Sequence, residues 1–359
     1  MYLCKGKKYT KEQFISHARE RINQLSQSGE ATKWEFEMWS FILLWLDSSR
    51  NYFEVKTSGS TAEPKTILLK RHQMIASARA TQNFFGLKVA DKVFLALPPE
   101  FIAGKMMLVR ALELGLDLFY FPPKVSVVAQ IKQAFSFGAL IPLQLQYAID
   151  SNSINKLEMV DTLLVGGAAV PVSYLNVLKN IRSRIFASYG MTETITHVAI
   201  KDLKVSGSHY KALEGISFKT DRNQHLIIQS NRLPEKQTHT NDRVILISDK
   251  EFIFQGRADS VINSGGLKIH PGILEENIKN ILAKEVFIGY EKDHKLGQKI
   301  VLVVEGSEES FSKDMILGKL KTELPRNQMP RKVLSISKFI RTANQKTDRA
   351  KMQQWIDKQ

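Results

Sequence analysis

Cysteine is nearly absent: the chain of 359 residues has one, Cys4. A single thiol excludes an internal disulfide framework and any metal site built from several cysteines. Long apolar runs are missing too. The longest, around 38–46, falls far short of the roughly 20 residues that span a bilayer. The opening stretch MYLCKGKKYTKEQF is basic but lacks the apolar core of a secretory signal. No internal repeat and no low-complexity linker interrupts the chain. No basic run is interleaved with aromatics, and the net charge of +15 is spread roughly in proportion to length. That distribution excludes a concentrated nucleic-acid patch and suits solvated surface, with some attraction for polyanionic small substrates. What remains is an ordinary globular balance, 43% apolar and 24% charged, in a chain long enough for two domains. A cytoplasmic protein without stable membrane insertion is the expectation.

Phe14, Ala18, Ile22 and Leu25 recur at helical spacing, so 11–47 reads as helical. A short strand at 52–55 then runs into a Ser/Thr/Gly loop. Beyond it, strand candidates at 92–97, 117–121, 139–141, 162–165 and 184–187 alternate with helix candidates at 73–85, 103–114 and 172–180. This alternation predicts an α/β core with a largely parallel sheet. After His197 the β runs at 225–229, 244–248 and 251–255 lie too close together for helical crossovers, which predicts an antiparallel segment. From Asp259 a smaller α+β unit follows, with helices at 272–282 and 312–324 and a strand at 300–304. The expected domains are 1–258 and 259–359, a boundary that rests on the motif around Asp259 more than on composition.

Four places carry chemistry. Thr57, Ser58, Gly59, Ser60 and Thr61, ahead of Lys65, form a hydroxyl- and glycine-rich turn. Such a turn can offer backbone N–H groups and hydroxyls to phosphate oxygens, with the lysine adding positive charge. It is not the G-x-x-x-x-G-K-[ST] loop. Ser188, Tyr189, Gly190, Met191, Thr192, Glu193 and Thr194 follow a β-like run. They supply a flat aromatic face for a base, a hydroxyl for a phosphate and a carboxylate for Mg²⁺. Arg257 and Asp259 precede a glycine pair, Gly265 and Gly266. Lys346 stands in a polar loop ahead of Asp348 and Arg349.

In this order the segments resemble the adenylate-forming superfamily of acyl- and aryl-CoA ligases, luciferases and nonribosomal adenylation domains. The turn at 57–65 is similar to that family's T-S-G-[ST]-T-G-x-P-K, with Ala62 in place of glycine. The segment from Tyr189 to Glu193 is similar to Y-G-x-T-E, and Gly166, Gly167 and Ala168 to its adenine-facing G-G-A/E segment. Thr240-Asn241-Asp242 is similar to T-G-D with Asn241 for glycine. Arg257 to Gly266 is similar to R-x-[DK]-x₆-G, and the segment around Lys346 to N-G-K-x-D-R with Gln345 for glycine.

The resemblance implies a large α/β domain plus a β segment, and a small mobile α+β C-terminal domain that turns about Asp259. It implies that Tyr189 stacks on adenine, Asp242 holds the ribose, and Thr192 touches the phosphates. Glu193 holds Mg²⁺, Lys346 is catalytic, and Gly265 and Gly266 line the path of the coenzyme A thiol. The implied reaction is ATP-dependent adenylation of a carboxylic acid, then transfer to coenzyme A. With only 56 residues before the phosphate turn, a reduced N-terminal subdomain is expected.

Ala103-Gly104-Lys105-Met106, 140–145 and the glycines at 166–167 resemble the o-succinylbenzoate–CoA ligases of menaquinone synthesis within that superfamily. Such an acid keeps one carboxylate that is not activated and needs a cation. Lys105 is the first candidate, with Arg110 and His197 behind it. The rivals are another acyl- or aryl-CoA ligase, a stand-alone adenylation protein that loads a carrier, and a non-catalytic nucleotide-binding relative.

Overall fold

The computed structural model describes residues 1–26, 29, 32–56, 66–168, 170, 172–258, 261–306, 312–342 and 346–359. Its centre is a 13-stranded sheet that changes character half-way across. On one side, Tyr2–Cys4, Asp117–Tyr120, Lys92–Leu95, Phe135–Leu140, Val160–Val165 and Arg184–Gly190 run parallel in that spatial order. On the other side, His197–Asp202, Tyr210–Ala212, Glu251–Arg257, Gln237–Ser248, His225–Gln229 and Ser217–Thr220 follow as antiparallel neighbours. The expected parallel core and antiparallel segment are therefore halves of one sheet.

The parallel strands read as continuous apolar runs because both of their faces are covered. Val93 and Leu95 point into the cluster of the helices Arg71–Phe85 and Ile102–Glu113, whereas Phe94 between them joins the cluster of Leu145 and Leu178. The latter two belong to the helices Pro142–Asp150 and Val172–Lys179 on the opposite face. Gly138 is required by this packing, since a Cβ there would lie 2.0 Å from the ring of Phe94.

The N-terminal helical stretch is two helices, Lys11–Ser26 and Lys33–Leu46, packed on each other. Before them, Tyr2–Cys4 pairs with Lys7–Tyr9 as a hairpin that extends the parallel edge. Cys4 is buried in that hairpin, and burial pushes its thiol up to about 12, so it is an inert packing residue.

The large sheet ends at Arg257, and a second sheet begins at Ile262. It comprises Leu267–Ile269, Ile262–Ser264, Gly297–Glu305, Val286–Asp293 and Lys332–Ile336, with a core of its own around Ile278, Leu302 and Leu320. The helix Pro271–Leu282 of this unit packs against the helix Val172–Lys179 and the strand Glu251–Arg257 of the larger one. Among the described residues, no helix is long and apolar enough to cross a membrane.

Candidate active site

Ligands of open α/β sheets gather at the carboxyl ends of parallel strands, and here two neighbouring ends carry the glycines and the tyrosine. Val160–Val165 runs out into Gly166 and Gly167, and Arg184–Gly190 carries Ser188 and Tyr189 beside it. The two ends interlock. A Cβ on Gly166 would meet Ser188 Oγ at 2.2 Å, and that hydroxyl donates to the Val165 carbonyl at 3.3 Å. Gly167 has φ +92°, a conformation open to glycine, and Ala168 beyond it is exposed.

Tyr189 is held at both ends. Its ring packs edge-on against Tyr210 and Phe252. Its phenol donates to Asp242 Oδ2 at 2.5 Å across 53 residues of sequence. Burial, and then the Asp242 carboxylate, raises the phenol well above the ordinary tyrosine range, so it stays a donor. Asp242 in turn donates its backbone N–H to Thr240 Oγ1 at 3.1 Å, and its carboxylate faces Nη1 of Arg257, its partner across the strand pair, at 3.8 Å. Tyr189, Asp242 and Arg257 thus form one fixed wall, although the sequence separates them widely.

The turn after Gly190 is tightly built. Thr194 Oγ1 donates to the carbonyl of Thr196 at 2.8 Å and accepts the Met191 N–H at 3.0 Å. Ile195, β-branched and buried, is forced to φ +69°, a conformation such residues avoid. That strained reversal returns the chain toward Gly190 and turns Thr196 and His197 inward. Thr192 is buried in the turn, and Glu193 points to solvent.

Gly190 is required by the returning chain. A Cβ would lie 2.2 Å from the Thr196 carbonyl oxygen and 2.6 Å from His197 Cα, both backbone atoms. Gly190→Ala is expected to cost about 1–3 kcal/mol of stability by overpacking, read as a lowered melting temperature, and to displace His197.

From the smaller unit, Lys346 reaches this wall. Its Cε lies 3.7 Å from where a Gly167 Cβ would be. The loop is pinned by Thr342 N–H donating to the Lys346 carbonyl at 2.8 Å and by the pairing of Arg341 with Thr347. Burial first, and then the nearby Arg257 charge, lowers the ammonium below the ordinary lysine range. A second contact joins the units at Arg243 Nη1 and His270 Nε2, 3.1 Å apart.

Behind the turn lies a buried cation. Arg110, 2% exposed, is surrounded by neutral groups: Thr81 Oγ1 at 3.2 Å, Thr196 Oγ1 at 3.3 Å, His197 Nδ1 at 3.4 Å and Met107 Sδ at 3.5 Å. Among the described residues no carboxylate neutralises it, and burial alone pushes the guanidinium down to about 9. Lys105 is placed differently. Its ammonium donates to the carbonyls of Pro99 and Glu100 at 3.0 and 2.9 Å and shares none of these partners.

Gly265 and Gly266, at φ +59° and +80°, close the hairpin between Ile262–Ser264 and Leu267–Ile269, the double left-handed turn that favours such a pair. The Gly265 N–H donates to the Leu296 carbonyl at 2.8 Å. Thr57, Ser58, Gly59, Ser60, Thr61 and Lys65 lie outside the described residues, as does Asp259.

The AMP-binding enzyme family matches residues 20–219, more than half of the chain. The chain belongs to this family. Among curated members of similar sequence, the 2-succinylbenzoate–CoA ligase of Escherichia coli is 24% identical over 322 residues, 84% of this chain and 68% of that protein. An acyl-CoA synthetase (AMP-forming)/AMP-acid ligase II-like protein of Dyadobacter fermentans is 30% identical, with a TM-score of 0.59. That match covers 92% of this chain and 97% of the other. The o-succinylbenzoate CoA synthetase of Bacillus subtilis, in complex with its acyl-adenylate intermediate, has a TM-score of 0.75 at 20% identity, over 93% of this chain and 80% of that one. The same Bacillus enzyme in complex with ATP and a magnesium ion gives 0.73. The fold is therefore that of the adenylate-forming enzymes.

Sequence reasoning placed Tyr189, Asp242, Arg257, Gly167 and Lys346 in one site, and these residues converge in the structure. It ranked Arg110 behind Lys105 and did not single out Thr81 or Thr196. One signal for Arg110 was available: a lone cation inside the apolar run from Met106 to Ala111.

Proposed function

We propose that this member of the AMP-binding enzyme family is an acid–CoA ligase that adenylates a dicarboxylic acid of the 2-succinylbenzoate type. The observation that carries the reading is Lys346, delivered by the smaller unit to Gly167 beside the wall of Tyr189, Asp242 and Arg257. A carboxylate oxygen attacks the α-phosphorus of ATP, the bond to pyrophosphate breaks, and the acyl-adenylate forms. Lys346 offsets the charge that develops between carboxylate and phosphate. The hydroxyl turn at 57–65 and Thr192 receive the phosphates, Tyr189 receives the adenine, and Asp242 the ribose.

Glu193 is exposed and makes no ion pair or side-chain hydrogen bond among the described residues, which fits a carboxylate kept for Mg²⁺. The magnesium ion, when bound, offsets triphosphate charge. In the second half-reaction the unit beyond Asp259 turns, Lys346 withdraws, and Gly265 and Gly266 pass the coenzyme A thiol to the acyl carbon. The C–S bond forms as AMP leaves.

Arg110 supports the choice of a diacid. A buried guanidinium surrounded by neutral groups is costly unless an anion meets it. The carboxylate that is not activated supplies that anion, and the names of the curated relatives agree with the assignment. The test is pyrophosphate exchange into ATP over a panel of acids. Exchange is expected with 2-succinylbenzoate and at least tenfold less with its monocarboxylate analogues. Exchange led by a simple fatty or aryl monoacid would overturn the diacid assignment.

A further inference from the structure

The contacts around Arg110 determine where the protons of the cluster sit. An arginine only donates, so His197 Nδ1 and Thr196 Oγ1, at 3.4 and 3.3 Å from Nη2, must both accept. The Thr196 hydroxyl lies 3.3 Å from His197 Nδ1, whose one lone pair it shares with Nη2–H. With Nδ1 bare, the imidazole carries its proton on Nε2, which faces Thr81 Oγ1 at 3.4 Å. That hydroxyl also accepts Arg110 Nε–H at 3.2 Å and passes its own proton to the Ser77 carbonyl at 3.1 Å. This arrangement gives the Nε and Nη2 hydrogens of Arg110 and the Nε2 hydrogen of His197 their acceptors, and it closes only with a neutral histidine. The electrostatics agree: burial first, and then the Arg110 charge, holds His197 well below the usual histidine range.

We infer that Thr81 and His197 are positioning residues for the acid. Together they clamp the Arg110 guanidinium, with His197 fixed as the neutral Nε2–H tautomer. The clamp leaves Nη1, held among the described residues by the Met107 thioether alone, as the edge offered to the carboxylate that is not activated. Thr81 matters most because its one oxygen serves both partners. It is fully buried, so water does not replace it. A protonated His197 would turn an N–H toward Arg110 and dismantle the clamp, which is why the ring must stay neutral. The inference rests on the diacid reading above, and it assigns His197 to holding Arg110 rather than to contacting the acid.

The test compares Thr81→Val with Thr81→Ser on 2-succinylbenzoate and on analogues lacking either carboxylate. Thr81→Val strands two buried donors, one of them charged, so KM for the diacid is expected to rise about tenfold or more. KM for ATP stays unchanged, Thr81→Ser restores the diacid KM, and the monocarboxylates respond little to either variant. A general packing defect would instead affect all substrates alike. In ¹⁵N-histidine NMR of the unmodified protein, His197 should show a bare Nδ1 and a protonated Nε2.

Wild type preferring the diacid while Thr81→Val matches it would overturn the inference alone, as would a protonated Nδ1. Wild type with no preference for the diacid would remove the reading and the inference together.

Discussion

Replacing Lys346 by Ala is expected to slow adenylate formation about 100- to 1,000-fold, the usual effect of removing one preorganised charge stabiliser. The ammonium comes from a loop of the smaller unit, and its Cε stands 3.7 Å from the Gly167 Cβ position. Thioester formation from a supplied acyl-adenylate should change only a few-fold, because in the proposed cycle that step follows withdrawal of the loop. Stopped-flow measurement of the two half-reactions separates them, and equal loss in both would remove Lys346 from its role.

The same residue sets a pH limit. Burial and Arg257 lower its pKa, so its charge is lost at a lower pH than for an ordinary lysine. Adenylation should therefore fall on the alkaline side earlier than a solvated lysine would dictate. Thioester formation should not follow that limb.

The second large effect concerns Arg110, and it separates function from stability. Arg110→Met removes the proposed receptor for one carboxylate, and breaking a buried charged contact costs about 3–5 kcal/mol. The diacid's kcat/KM should fall at least 100-fold, with monocarboxylates little affected. Yet the free protein should melt at the same temperature or higher, because a buried guanidinium without a carboxylate is itself destabilising until the acid arrives. Methionine fills similar volume beside Met107 without a charge. A strong loss of melting temperature would mean that Arg110 is structural, which would undo its assignment.

The sequence disclosed those features whose chemistry is local. The tyrosine-to-glutamate segment and the late lysine announce themselves by residue type and order. The alternation of helices and strands follows from periodicity. Pairings across long separations are different. Nothing local at Tyr189 tells that its phenol is taken by Asp242, because the strand Gln237–Ser248 is brought there by the antiparallel half of the sheet.

The edge hairpin of Tyr2–Cys4 and Lys7–Tyr9 escaped because three-residue strands carry too little pattern. Lys105 was favoured over Arg110 because charge is visible in a sequence and burial is not. The helix Ile102–Glu113 turns Lys105 to backbone carbonyls at its entrance and Arg110 into the core. Gly190 makes room for the chain returning through Ile195, a packing demand that nothing in the local sequence shows.

The most direct measurement is a crystal structure of this chain with a non-hydrolysable sulfamoyl analogue of the 2-succinylbenzoyl-adenylate. The expected complex has the sulfamoyl group within hydrogen-bond reach of Lys346, the adenine on Tyr189, and the free carboxylate on Arg110. An analogue bound with Arg110 facing no ligand atom, or with its sulfamoyl group remote from both Lys346 and Thr192, would contradict it.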